Sequence, residues 1–350
     1  MKTIFKTVAF ALVIIVGAFF VFAYARRADI AEVQDSDLRK DQPVVAEADN
    51  AYPLVVKIQP DITISQDDFN WIESVLTGND WDEKRANDIL MSQAVALNAF
   101  AEISQKRVYQ YSPADLEKGG GQLGYARRLA DLALLRGLQL EKGGSYDEAF
   151  KLSEKALSLS QAVVGSSNSL IQYMVGAVMK KTALSRLQAL INTNQLSYEF
   201  LNQEAATISN FRDDLPGLQV GLRGEYYLGA TWAESDPNFA RDAGIFPKVF
   251  YTRSYYWKPK MTLQQKAEQM RIIIKNVSTA CGNNHREFVA QLPLFPVSKL
   301  SYPFTENLIG RKHVDLMVDS INQTDLYDRR CANEAAFDNL QAIMIRRAGS

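Results

Sequence analysis

The sequence predicts an all-α protein, with an N-terminal transmembrane helix followed by a helical-hairpin array or bundle broken by long irregular loops. Three observations carry that expectation. An uncharged apolar run fills Val8–Ala25. From Asp82 onward, apolar residues recur at the 3.6-residue spacing of an amphipathic helix. Prolines and aromatics gather in two stretches without that period, around 236–260 and 292–303.

The run VAFALVIIVGAFFVFAYA would form a helix about 27 Å long, close to the thickness of a bilayer's hydrocarbon core. Each charge at its centre would cost about 2.5–3.5 kcal/mol, and the run contains none. Residues 1–27 therefore read as a cytoplasmic tail and anchor, 28–50 as a polar tether or a loosely packed first helix, and 51–350 as an extracytoplasmic helical domain. Membrane contact is assigned to residues 8–25. Lys2 and Lys6 precede the run and Arg26 and Arg27 follow it, so the cation count alone nearly ties on orientation. The short leading tail and the acids Asp29, Glu32, Asp35 and Asp37 favour export of the C-terminal side. Ala23-Tyr24-Ala25 leaves an alternative open, cleavage after Ala25 and secretion.

Composition narrows the function classes. The chain of 350 residues is 47% hydrophobic and 23% charged, as expected of a folded protein. Lys2, Lys6, Arg26 and Arg27 are among its 39 basic residues, and 1–27 holds no acid; the remainder has 35 bases against 40 acids. That balance supplies no basic face for nucleic acid. The two cysteines, Cys281 and Cys331, are far apart in sequence. They could pair in an oxidising compartment, closing a loop for which chain entropy predicts about 4 kcal/mol, or remain separate thiols.

Along the body, Ser65 is placed to cap a helix running to Leu76, with Asp67 and Asp68 in its first turn and Gly78 ending it. Ile89, Ala96, Leu97, Phe100 and Ile103 share the face of a following helix. Further helices are expected at 122–140, 146–164, 169–191, 197–212, 218–232, from Thr262, at 312–322 and at 325–346. Between 130 and 163, Ala133, Gly137, Tyr146, Ala149 and Ala156 fall on the small-residue pattern of a hairpin with Gly143-Gly144 at its turn. This segment resembles one tetratricopeptide repeat, although Arg136 and Gln161 depart from the pattern and no second copy follows 34 residues away. The resemblance implies a helical hairpin, not a peptide-binding solenoid. Asp49-Asn50-Ala51-Tyr52-Pro53-Leu54, the segment 256–263 and Asn307-Leu308-Ile309-Gly310 resemble bacterial single-anchor exported helical proteins, which implies location and fold but no activity.

Catalytic and cofactor motifs are absent. His285 and His313 lie outside any HExxH pattern and have no cysteine at ligand spacing, so no metal is assigned. Lys118–Gly124 is glycine-rich but lacks the Gly-Lys-Ser/Thr ending of a phosphate loop. Asp67-Asp68 and Asp213-Asp214 fit helix boundaries better than a glycosidase pair. Gly217, Gly221, Gly224 and Gly229 read as a close-packing helix, with Arg223 and Glu225 lining a cleft as the alternative. The expected role is therefore protein contact or scaffolding in the cell envelope through an unidentified partner, with Tyr251, Tyr255, Tyr256 and Trp257 as the contact surface. An envelope hydrolase with a site assembled from distant residues, or an anchored subunit of a secretion or transport assembly, remains the alternative.

Overall fold

The computed structural model describes residues 2–25, 28–39, 45–111, 115, 122–212, 214–235, 258–281, 311, 314, 321 and 326–348. Among these the fold is all-α: twelve α-helices, two short 3-10 turns and no strand. The chain divides into two units, a larger one of 41–225, 280–282 and 326–350 and a smaller one of 1–40, 226–279 and 283–325.

The larger unit opens with α2 (Tyr52–Ile58), α3 (Gln66–Leu76), α4 (Glu83–Ser92) and α5 (Ala94–Ile103). Ser65 caps α3 by accepting from the Asp68 amide at 3.1 Å, and Asp82 caps α4 by accepting from Arg85 at 3.0 Å. Asp67 and Asp68 both hold Arg85, at 2.5 and 2.8 Å, so this carboxylate pair is a capping and ion-pair feature. The expected continuous helix from Asp82 is two helices. Gln93 separates them because its buried side chain leaves the helix surface to accept from the Thr63 amide at 3.2 Å.

Next come α6 (Gln122–Lys142) and α7 (Tyr146–Gly165), packed together across a tight turn. Gly144 takes φ +86°, a left-handed conformation that glycine adopts without strain. Ala133, Ala149 and Ala156 are fully buried, and a Cβ on Gly137 would stand 3.4 Å from the Ala149 carbonyl. Small side chains thus let the two helices approach. Two more helices follow: α8 (Leu170–Asn192), capped by Ser169, and α9 (Tyr198–Ser209), capped by Ser197. They lack the hairpin's residue pattern, and α8 starts 48 residues after Gln122. α8 packs on α6 and α7, and the terminal helix α12 (Leu326–Ala348) packs on α8 and α9.

Helix α10 (Leu215–Ser235) gives its first part to the larger unit and its second to the smaller. The smaller unit also holds α1 (Lys2–Ala25) and α11 (Pro259–Val277). Tyr226, Ala230, Leu263, Ala267 and Met270 are buried in it. The expected tether is corrected in part. Residues 28–39 form neither a free chain nor a helix but a strap fastened along α11. Asp29 accepts from the Lys260 and Met261 amides at 2.8 and 2.9 Å and so caps a helix with no side-chain cap of its own. Lys258 donates to the Ala28 carbonyl, Gln264 accepts from the Gln34 amide, and Arg271 pairs with Asp37.

The N-terminal segment is one helix of 24 residues. Among the described residues, however, no helix is long and apolar enough to cross a membrane, so the helix is found and the span is not. Several side chains of Val8–Ala25 lie outside the described set; the unbroken apolar run belongs to the complete sequence. Tyr251, Tyr255, Tyr256 and Trp257, His285, His313 and most of the expected helix over 312–322 also lie outside the described residues.

Candidate functional site

Three features could carry function: the surface of α1, a buried polar junction in the larger unit, and an open groove on α7. On α1, the consecutive residues Leu12, Val13, Ile14, Ile15 and Val16 are 59%, 68%, 54%, 63% and 43% exposed. Successive residues step about 100° around a helix, so these five present apolar surface on every side. A helix packed against a protein body would bury one stripe and expose polar residues opposite.

The junction joins α7, α8, α12 and the start of α10. Lys180 and Asp214 are both fully buried and form an ion pair. Lys180 also donates to Gln161 at 2.9 Å and to the Phe211 carbonyl. Asp214 accepts from Asn333 of α12 at 3.3 Å, and the same Asn333 amide reaches the Ala177 carbonyl at 3.2 Å. The buried Tyr173 hydroxyl lies in the electrostatic field of Asp214 and Arg330, and burial raises its pKa. Arg330 donates to Cys281 at 3.3 Å and to Cys331 at 3.6 Å, stands over the Tyr327 ring and pairs with Glu334. Cys281 and Cys331 form a disulfide, and the Tyr327 hydroxyl donates to the Ala280 carbonyl at 2.7 Å. Residues 280–281 are thereby stapled to α12.

Chemically, the junction is a lock. With Lys180 and Asp214 excluded from solvent, their ion pair offers no surface to a substrate; it fixes α12 and the start of α10 on α8. Of the Asp213-Asp214 pair, Asp214 does stand at a helix boundary, directly before α10, but it is buried. The sequence did hold a signal for its partner: Tyr173, Ala177, Lys180 and Leu184 recur at helical spacing, which puts Lys180 on an apolar face.

Glu225 acts on Tyr111, whose pKa is raised by burial and whose hydroxyl meets Ser169 at 3.2 Å. The open groove, about 340 Å³, is lined by Leu140, Asp147, Glu148, Lys151, Leu152 and Lys155. Lys151 is tied to Glu154 and Glu204, and both signs of charge alternate around the groove, which fits a solvated helix face better than a selective ligand site. Among the described residues, no group of three His, Cys, Asp or Glu side chains could hold a metal ion.

Compared with known proteins, the chain matches no family model, no curated protein and no solved structure.

One further group responds to pH. Asp131 of α6 is buried, and its nearest cation is Arg127 at 3.8 Å, itself bound to Glu73. Burial pushes the Asp131 pKa up to about 7, and Arg127 only partly opposes this. In the unfolded chain the carboxyl ionises near pH 4. Between those values the folded state holds the extra proton, so stability falls as pH rises from about 4 to about 7. The cost of keeping this site above pH 7 is on the order of 4 kcal/mol. Asp131→Asn is therefore expected to raise the melting temperature at pH 8 and to leave it nearly unchanged at pH 4. Equal shifts at both pH values in thermal unfolding would contradict this.

Proposed function

We propose that this chain is a membrane-anchored helical protein whose body lies outside the cytoplasm and works through protein contacts in the cell envelope. The observation that carries the anchor is the apolar exposure of Leu12–Val16 around the whole circumference of α1. At about 25 cal/mol per Å², leaving a helix of that composition in water is strongly unfavourable, and lipid is the surrounding that removes the cost. The complete sequence adds the uncharged run and the flanking Lys6, Arg26 and Arg27. The disulfide between Cys281 and Cys331 supports an oxidising compartment for the body. For a contact role, the support is the packed helices α6, α7 and α8 with α12 laid on α8 and α9, together with interior polar groups that serve packing rather than chemistry.

Alkaline carbonate extraction tests the anchor. The full chain is expected to stay in the membrane pellet, and replacing Val13 and Ile14 with lysine should release it. Recovery of the unaltered chain in the supernatant would overturn the reading, and a mature N-terminus just after Ala25 would replace it with secretion. Protease added outside the cytoplasmic membrane should digest the body; protection there would reverse the orientation. Crosslinking in intact cells, followed by identification of the captured proteins, tests the contact role, which fails if no partner is reproducible.

A further inference from the structure

The strap sits directly beyond the anchor. Only Arg26 and Arg27 lie between α1, which ends at Ala25, and Ala28, whose carbonyl accepts from Lys258 at 2.7 Å. Three Cα steps span at most about 11 Å. Ala25 ends the apolar run, so Ala28 and the first turn of α11 fall within or just beyond the headgroup layer, which adds roughly 5–8 Å to each side of the hydrocarbon core. From there the strap and α11 run in the same direction. Ala28 and Asp29 meet Lys258–Met261, the Ala31 carbonyl meets Lys260, Gln34 meets Gln264 and Arg271, and Asp37 meets Arg271. Contacts spread over the whole strap leave little freedom for a swivel, because each hydrogen bond would have to break before the chain could pivot.

We propose that the strap and the N-terminal end of α11 form a membrane-surface joint: the Lys260 end of α11 rests on phospholipid headgroups, and the helix leads away from the bilayer. The smaller unit is then held at the membrane surface rather than on a flexible tether. This inference deepens the anchor reading and rests on it. The ligand surface is the headgroup layer of the bilayer that α1 enters. Lys260 is an exposed cation at that end, and Arg26 and Arg27 directly precede the strap in sequence.

The test uses the full chain in phosphatidylcholine vesicles. The native cysteines are joined to each other, so a single added cysteine can carry a fluorophore. Three variants are compared: Val13→Cys in α1, Lys260→Cys at the near end of α11 and Lys275→Cys about 22 Å further along it. Lys260→Cys removes one strap contact and leaves those of Lys258, Asp29 and Arg271 in place. Acyl-chain nitroxide lipid should quench the Val13 label, and headgroup nitroxide lipid should quench the Lys260 label severalfold more than the Lys275 label. No quenching at Val13 overturns the anchor itself. Quenching at Val13 with equal responses at Lys260 and Lys275 overturns the joint alone and restores a flexible tether.

Discussion

Gly224→Ala is expected to destabilise the larger unit by about 3 kcal/mol or more, although the same change in an exposed helix would gain up to about 1 kcal/mol. A Cβ at Gly224 would overlap the Asn168 carbonyl oxygen, and one at Gly217 would overlap the Val164 carbonyl. At Gly221 the added carbon would be 3.2 Å from the Ser169 carbonyl. All three glycines thus press α10 against the last turn of α7 and the link from it to α8. That link cannot retreat. The Gln172 side chain donates to the carbonyls of Tyr109, Val163 and Ser166 at 2.9, 3.0 and 3.1 Å, and Ser166 accepts from the Tyr109 amide at 2.9 Å. Gly229→Ala is the matched control. Its Cβ would meet only the Lys266 ammonium at 3.8 Å, the far end of a flexible side chain, so it should be neutral or slightly stabilising. Thermal unfolding of the purified chain separates the two; similar losses at both positions would mean that glycine flexibility, not close approach, sets the requirement.

The second large effect is expected at the lock. Lys180→Met removes the cation from a site where both partners are fully buried, leaving Asp214 charged without its main partner. Breaking such a pair from one side typically costs about 3–5 kcal/mol, because the remaining charge keeps its desolvation penalty. Asp214→Asn should cost less, since the amide can still meet Lys180 and Asn333. The double change Lys180→Met with Asp214→Leu should recover most of the single-variant loss, because it removes both desolvation penalties together. A double-mutant cycle on unfolding free energies measures this coupling. Additive losses would show that the two side chains act through packing alone.

Local chemistry was legible in the sequence wherever one residue satisfies a neighbour. Ser65, Ser169 and Ser197 each accept from an amide three residues on, and a reader of the chain can place such caps without a partner. The α6/α7 hairpin was legible for the same reason: its alanines, glycines and turn are close in sequence and do their packing nearby. Helices α8 and α9 were legible as helices, but the packing of α12 on both was not, because it joins segments far apart in sequence. Asp29 capping α11 had no local signal at all, as 231 residues separate it from the Lys260 amide. The aromatic contact surface at 251–257 stays a reading of the sequence, since it lies outside the described residues.

The sequence by itself determined where helices form and where an uncharged run of membrane length lies, because both depend on spacing and polarity along one segment. Tertiary structure decided the rest. It decided that residues 28–39 form a strap along α11, that the glycines on α10 meet the end of α7 and the turn after it, and that Asp214 is buried while Asp67 stays in solvent. The physical reason is common to all three. Desolvation and close contact depend on which distant groups arrive at a residue, and neither spacing nor composition specifies that arrival.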